Sequence, residues 1–311
     1  MRIVFMGTPE FAIPSLQILL EHDYAVAGVV TAPDKPAGRG LQLSVSPVKA
    51  FALKRSLNLL QPEKLKDPSF VAALGSIEAD LFVVVAFRIL PPEVFLIPKL
   101  GAFNLHASLL PGYRGAAPIN WAIIRGERET GVTTFFLEKT VDTGMIILQA
   151  RLPIRSDETA GELHDRLAQV GAEIVLHTVR LIEAGKAFPR PQGAAPPSPA
   201  PKILKEHCRI DWTKGAAEVH NLVRGLSPAP SAFTTHAGTL LKIFRTAVVG
   251  GENQPASPAA PGALLDVNGR LRVSTGEGAI EVLEIQQEGK RKMSIGDFLR
   301  GYKMRAGDKF Q

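Results

Sequence analysis

The chain is 311 residues long, 45% hydrophobic, and carries 36 Lys and Arg against 30 Asp and Glu. At about 100–200 residues per domain that length suggests two domains, and the apolar share excludes wholesale disorder. The single cysteine, Cys208, excludes an internal disulfide and a multi-cysteine zinc site, and it suits a reducing, cytoplasmic setting.

No apolar run reaches the roughly 18–20 residues that span a bilayer, and Met1–Glu10 does not read as a secretory signal. A cytoplasmic protein without membrane contact is expected. Residues 1–201 hold 20 basic and 19 acidic side chains, and residues 202–311 hold 16 and 11, so the net charge of +6 belongs almost entirely to the last third. That asymmetry suits a polyanion such as nucleic acid, and equally a plain solvated surface.

In chain order, Ile3–Met6 predicts a strand ending at Gly7, followed by an amphipathic stretch over Phe11–Leu20 and a second strand over Ala25–Thr31. The first turn, Gly7-Thr8-Pro9-Glu10-Phe11, has one glycine and an acid where a pyrophosphate would approach, so it is no NAD site. Pro33–Pro47 is too rich in Pro and Gly for a helix and carries Lys35 and Arg39. It reads as a mobile surface loop or as a flap that docks a large anionic substrate.

Asp80–Phe87 (DLFVVVAF) is apolar enough to be buried on both faces of a parallel sheet, and strands follow at Gly101–Leu105 and Gly131–Leu137. The alternation predicts an α/β, Rossmann-like domain with a doubly wound, mostly parallel sheet, binding its ligands at the carboxyl ends of the strands. A long helix is predicted over Thr159–Ala184, with Leu163, Leu167, Val170, Ile174 and Leu181 on one face and Gly185 ending it.

Gly185–Pro201 contains six prolines and reads as a semi-rigid linker between a domain over 1–184 and one over 202–311. In the latter, a helix near Lys214–Gly225 and short strands at Leu240–Phe244, Gly262–Val267, Leu271–Ser274 and Ala279–Ile285 suggest a small β-barrel.

The densest polar cluster is Asn104 to Pro118. Asn104 and His106 alternate at a strand end, which places both side chains on one side. An Asn amide can donate to a developing oxyanion, and a His can carry protons near neutral pH; a packed structural histidine is the plainer reading. Asp142, in Thr140-Val141-Asp142-Thr143-Gly144, is either an Asx turn or a carboxylate that orients His106. The scattered histidines and the adjacent pair His207-Cys208 support no metal site, and no G-x-S-x-G supports a serine hydrolase.

Phe103–Pro118 (FNLHASLLPGYRGAAP) with Val141–Gly144 resembles the signature of the folate-dependent formyltransferases. Val4–Phe11 (VFMGTPEF), the stretch Ala32–Val48 and Pro201–Trp212 (PKILKEHCRIDW) are similar to the branch of that family that formylates methionyl initiator tRNA. The resemblance covers nearly the whole chain. It implies 10-formyltetrahydrofolate as co-substrate, initiator methionyl-tRNA as acceptor and no metal. It implies catalytic roles for Asn104, His106 and Asp142, and a folate site formed by Ser108, Leu109, Leu110 and Pro111 with the strand that ends at Phe87. It further implies a loop around Lys35 and Arg39 entering the acceptor end of the tRNA, and a C-terminal barrel of oligonucleotide-binding type, with Lys202 and Lys205 among its basic residues, contacting the tRNA. A monomer is expected.

Departures from the family pattern fall at Arg88, in AFRILP, at Gly112, and after Gly40, where LQL replaces a lysine pair. Open beside this reading stand a nucleotide-sugar formyltransferase, a hydrolase of the same folate on the same fold, and a tRNA-binding protein without catalysis.

Overall fold

The computed structural model describes residues 1–37, 42–193, 198–250 and 259–311. The chain forms two compact units: Met1–Gly115 with Thr130–Leu152 and His164–Pro199, and Ala116–Glu129 with Pro153–Leu163 and Ala200–Gln311.

The first unit is built on β1 (Arg2–Gly7), β2 (Ala25–Val30), β3 (Lys35–Ala37), β4 (Gln42–Ser44), β5 (Leu59–Leu60), β6 (Leu81–Val85), β7 (Ala102–His106), β8 (Glu129–Phe136) and β9 (Ile146–Pro153). Seven of them form one sheet in the order β5-β2-β1-β6-β7-β8-β9. Its strands are parallel from β5 to β7, and β8 runs antiparallel to β7. This is the expected mostly parallel sheet. Every residue of β6 is buried, as its unbroken apolar run requires.

The helices of this half of the chain are α1 (Ile13–Glu21), α2 (Pro47–Lys54), α3 (Pro68–Ser76), α4 (Pro92–Phe95), α5 (Pro118–Ile124), which belongs to the second unit, and α6 (Ala160–Glu183), whose start up to Leu163 does too. The hydroxyl of Ser46 caps α2 by accepting from Lys49 N–H at 3.0 Å, and the carboxylate of Asp67 caps α3 by accepting from Ser69 N–H at 2.9 Å. In both helices a proline follows at the first position, where no intrahelical N–H is lost.

Two sequence expectations change here. The stretch that reads as a loop over Pro33–Pro47 carries an antiparallel ribbon, Lys35 pairing Ser44 and Ala37 pairing Gln42, so its backbone finds ladder partners despite the prolines; Arg39 lies outside the described residues. In α6 the bounds agree with the expectation to a residue at each end, but the buried stripe is rotated. Leu163 and Leu167 are buried, whereas Val170, Ile174 and Leu181 are half-exposed and Ala172, Val175 and Val179 take the core. Close approach selects the face: a Cβ on Gly171 would lie 2.7 Å from Leu105 of β7, so the helix presents this glycine to the strand.

The second unit adds α7 (Ala216–Leu226), β10 (Ala232–His236), β11 (Thr239–Val248), β12 (Leu264–Asp266), β13 (Leu271–Ser274), β14 (Ala279–Gln287), β15 (Met293–Ser294) and α8 (Ile295–Gly301). The strands form an antiparallel sheet in the order β10-β11-β14-β13-β12, with β15 on β14. It is curled as a half-barrel, the form taken here by the expected barrel. Val219 and Val223 of α7 and Phe298 of α8 pack with Leu241, Ile243, Val282, Ile285 and Phe310 in its core.

His220 of α7 is buried, its Nδ1 2.9 Å from the Thr246 hydroxyl and its Nε2 3.6 Å from Asp157. Burial, aided by the charge of Arg224, pulls its pKa below the usual histidine value and outweighs the opposing effects of the Ser156 carbonyl and of Asp157. The unfolded chain therefore takes up this proton first. The stabilisation is full above about pH 6.5 and is lost as pH falls from there toward the folded-state pKa, at no more than about 1.4 kcal/mol per pH unit. Urea unfolding at stepped pH checks this: His220→Asn is expected to show a shallower decline below about pH 6.5 than the parent chain.

Candidate active site

Asn104 and His106 project from the carboxyl-terminal half of β7, between β6 and β8. Asn104 is in register with Val84 and Phe135, and His106 with Thr133. Period two puts both side chains on one face of the sheet. Asn104 is half-buried, and its amide has no hydrogen-bond partner among the described residues. His106 is buried, and its Nε2 lies 2.9 Å from the Tyr113 carbonyl. A carbonyl only accepts, so Nε2 carries the hydrogen, and in the neutral ring Nδ1 holds the lone pair.

After β7 the chain is pinned down residue by residue. The Ser108 hydroxyl donates to Gly112 O at 2.7 Å, and the Thr133 hydroxyl donates to Ser108 O at 2.6 Å while accepting from Leu110 N–H at 3.1 Å. Gln149 Nε2 donates to Leu110 O at 2.9 Å and to the Thr133 hydroxyl at 3.0 Å. The Leu110–Pro111 bond is cis. Nothing local in the sequence announces Thr133 and Gln149, because they come from the neighbouring strands β8 and β9.

Asp142 is half-exposed with φ +56°, in the left-handed region. Its Oδ2 accepts from Gly115 N–H at 3.1 Å, and no direct bond joins it to His106. The turn at Tyr113–Gly115 instead touches both: its first carbonyl holds the histidine ring and its last N–H holds the carboxylate. Gly144, two residues on, is obligatory, since a Cβ there would sit 1.7 Å from Phe136 O.

Phe87 is half-buried against the cluster of Val84, Leu90 and Val94, with the Arg88 guanidinium 5.2 Å from its ring centroid. Arg88 donates to Pro62 O at 2.8 Å and Glu63 O at 3.0 Å, while its Nε is buried without a partner among the described residues. Lys35 in the first unit and Lys202 and Lys205 in the second are all exposed. An open cleft of about 600 Å³ lies at the ends of β1 and β2, lined by Thr8, Pro9, Glu10, Lys35, Ser46 and His164 among others. Among the described residues no three His, Cys, Asp or Glu side chains are grouped to hold a metal ion, and no helix is long and apolar enough to cross a membrane.

Residues 1–179 match the family described as formyl transferase, and residues 202–303 match its C-terminal domain. The methionyl-tRNA formyltransferase of Chlorobium luteolum is 50% identical over 306 residues, covering 97% of each chain. That of Caldanaerobacter subterraneus is 47% identical over 309 residues, covering 99% of each.

Among solved structures, an N-formyltransferase from Helicobacter canadensis with folinic acid and dTDP-3-aminofucose aligns with a TM-score of 0.68 at 20% identity, over 92% of this chain and 98% of that one. HypX from Aquifex aeolicus with tetrahydrofolic acid aligns with a TM-score of 0.66 at 21% identity, over all of this chain and 51% of that one. At those identities the solved structures speak for the fold. With both domain families matched in order and the curated relatives alike from end to end, the chain belongs to the formyl transferase family, in the group of the methionyl-tRNA formyltransferases.

Proposed function

We propose that this chain transfers a formyl group to the α-amino group of methionine esterified to initiator tRNA, for translation initiation, with 10-formyltetrahydrofolate as co-substrate. The observation that carries this reading is the identity of about one half, over nearly the full length of both chains, to methionyl-tRNA formyltransferases.

The co-substrate supplies a formyl carbon bound to nitrogen. The residues present suit it: the Asn104 amide and His106 Nδ1, on one face of β7, have no partner among the described residues, Phe87 offers an aromatic surface, and Ser108–Pro111 form a rigid backbone beside them. In this reading Asn104 donates to the carbonyl oxygen as negative charge builds on it. His106, its ring fixed through Nε2, takes and returns a proton at Nδ1. Asp142 acts on the ring through the Tyr113–Gly115 turn that both side chains bind. Domains over 1–184 and 202–311 divide chemistry from tRNA binding, with Lys35, Arg39, Lys202 and Lys205 meeting phosphates. The protein works as a monomer in the cytoplasm, away from membranes.

A sugar amine is the second acceptor to consider, because solved structures of sugar formyltransferases share the fold; at 18–21% identity they favour it less. The test is an assay with 10-formyltetrahydrofolate and either methionyl-tRNA or a nucleotide-linked amino sugar, with products read by mass. Formylation of the sugar and not of the tRNA overturns the proposal.

Phosphate contacts make a separate prediction. Affinity for tRNA is expected to fall linearly on a log–log salt plot, with a slope of about −0.7 to −0.9 per neutralised phosphate. Lys202→Ala with Lys205→Ala is expected to flatten that slope by about one to two. Binding measured by filter retention that does not change with salt contradicts the assignment.

A further inference from the structure

We infer that Gln192 is a positioning residue for the transfer reaction, the clasp that sets the Asp142 carboxylate relative to His106. The inference rests on reading His106 and Asp142 as parts of the reacting site, and it adds a residue from the proline-rich stretch that the sequence presents as a linker.

Gln192 makes four hydrogen bonds, and together they join two loops. Its Nε2 donates to Asp142 O and to Gly144 O, both at 2.9 Å. Its Oε1 accepts from Arg114 Nε at 3.2 Å and from Arg114 Nη2 at 2.5 Å. The amide cannot be turned over. Two backbone carbonyls face its nitrogen and only accept, and a guanidinium faces its oxygen and only donates. The side chain thus spans the loop that carries Asp142 and the turn that holds His106, through Arg114 at the centre of that turn.

The flanking backbone makes this a built feature. Arg190 and Ile146 exchange N–H···O bonds of 2.9 and 2.8 Å, and Tyr113 N–H donates to Ser198 O at 2.8 Å. The Arg190 guanidinium reaches Gln149 Oε1 at 2.9 Å, and Gln149 in turn holds Leu110 O. Arg190 and Ser198, which flank Gln192 in the chain, therefore both lie beside the site.

A clasp is needed there. Asp142 has φ +56°, which L residues adopt reluctantly, and its neighbours Val141 and Met145 are exposed, so apolar packing supplies little restraint. Among the described residues the partner of its carboxylate is Gly115 N–H, which follows Arg114 directly. Holding Arg114 and the Asp142 backbone on the same amide fixes the two ends of that bond. Only a side chain with a donor and an acceptor at this reach serves both: Glu lacks the donor, Met lacks both, and Asn is one methylene short.

The test is steady-state formylation of methionyl-tRNA by the full chain, comparing Gln192→Glu, Gln192→Met, Asp142→Ala and the double variant Gln192→Met with Asp142→Ala. The two Gln192 variants are expected to lower kcat by about 10- to 100-fold, as displacement of a reacting group does, with KM for methionyl-tRNA changed less than about 2-fold and the thermal midpoint close to that of the parent. Acid is expected to narrow the deficit of Gln192→Glu, because the protonated carboxyl regains a donor; Gln192→Met shows no such recovery. In the Asp142→Ala background Gln192→Met is expected to cost nothing further, since the residue acts through Asp142.

Parent-like kcat in both Gln192 variants beside a slow Asp142→Ala overturns the inference and leaves the site intact. Losses that multiply in the double variant overturn it as well. Parent-like turnover of Asp142→Ala withdraws the role of Asp142 itself, and the inference with it.

Discussion

Asn104→Ala is expected to lower kcat by about 10²–10³-fold, the usual cost of deleting one donor to a developing oxyanion. Stability should scarcely change. The residue is half-buried, its amide has no hydrogen-bond partner among the described residues, and β7 keeps its backbone ladders to β6 and β8 whatever side chain stands there. Truncation leaves no buried polar group without a partner, which is the usual source of large losses. An amide that does nothing for the fold and points from the carboxyl half of a central strand is therefore tested cleanly by rate.

His106→Ala is expected to reduce kcat by at least the same order, and it also removes the Nε2 bond to Tyr113 O. Single-turnover formylation with unfolding curves on the same samples separates rate from fold. Near-parent rates in either variant defeat the assignment.

Gly144→Ala carries the largest expected cost in stability, about 3 kcal/mol. Its Cβ would fall 1.7 Å from Phe136 O and 2.9 Å from Phe136 C, and both are backbone atoms that no rotamer change can move. Relief requires the Asp142–Gly144 loop to leave β8, breaking the Phe136 N–H bond to Met145 O at 3.0 Å and shifting Asp142. Activity is expected to fall with stability. Gly131→Ala meets the same obstacle at Ala150 O, 2.1 Å away, and presses on Leu109, whose Cδ2 would lie at 2.6 Å. Gly75→Ala in α3 is the control: its Cβ has nothing within 4 Å, and helix propensity predicts a gain of up to about 1 kcal/mol. Denaturant unfolding of the three variants decides the point; a Gly144→Ala midpoint equal to the parent's refutes the close approach.

Much of the architecture was legible beforehand. The runs at Ile3–Met6 and Asp80–Phe87 appear as β1 and β6 within two residues at either end, because continuous β-branched and aromatic residues suit buried strands. The length of α6 follows from its period and from Gly185, which ends it with φ +63°. The period points to another buried face because it weighs large side chains, whereas close approach to Leu105 selects Gly171. The ribbon of β3 and β4 was missed because proline and glycine content signals a turn and not the pairing of its arms.

For the site, the amino-acid order alone determined which chemical groups stand at the end of β7. Asn104 and His106 share a face because strand side chains alternate, and that is a local property of the chain. It determined equally that Asp142 belongs to a turn. Only the tertiary structure decided how these groups are held: Tyr113 O on His106, Gly115 N–H on Asp142, and Gln192 on Asp142 and Arg114 from positions 50 and 78 residues away in the chain. Alternation and capping act over a few residues and leave a pattern in sequence. The partners of a side-chain amide are set by where distant segments meet, and a glutamine within a proline-rich stretch carries no pattern that shows where its amide will be spent.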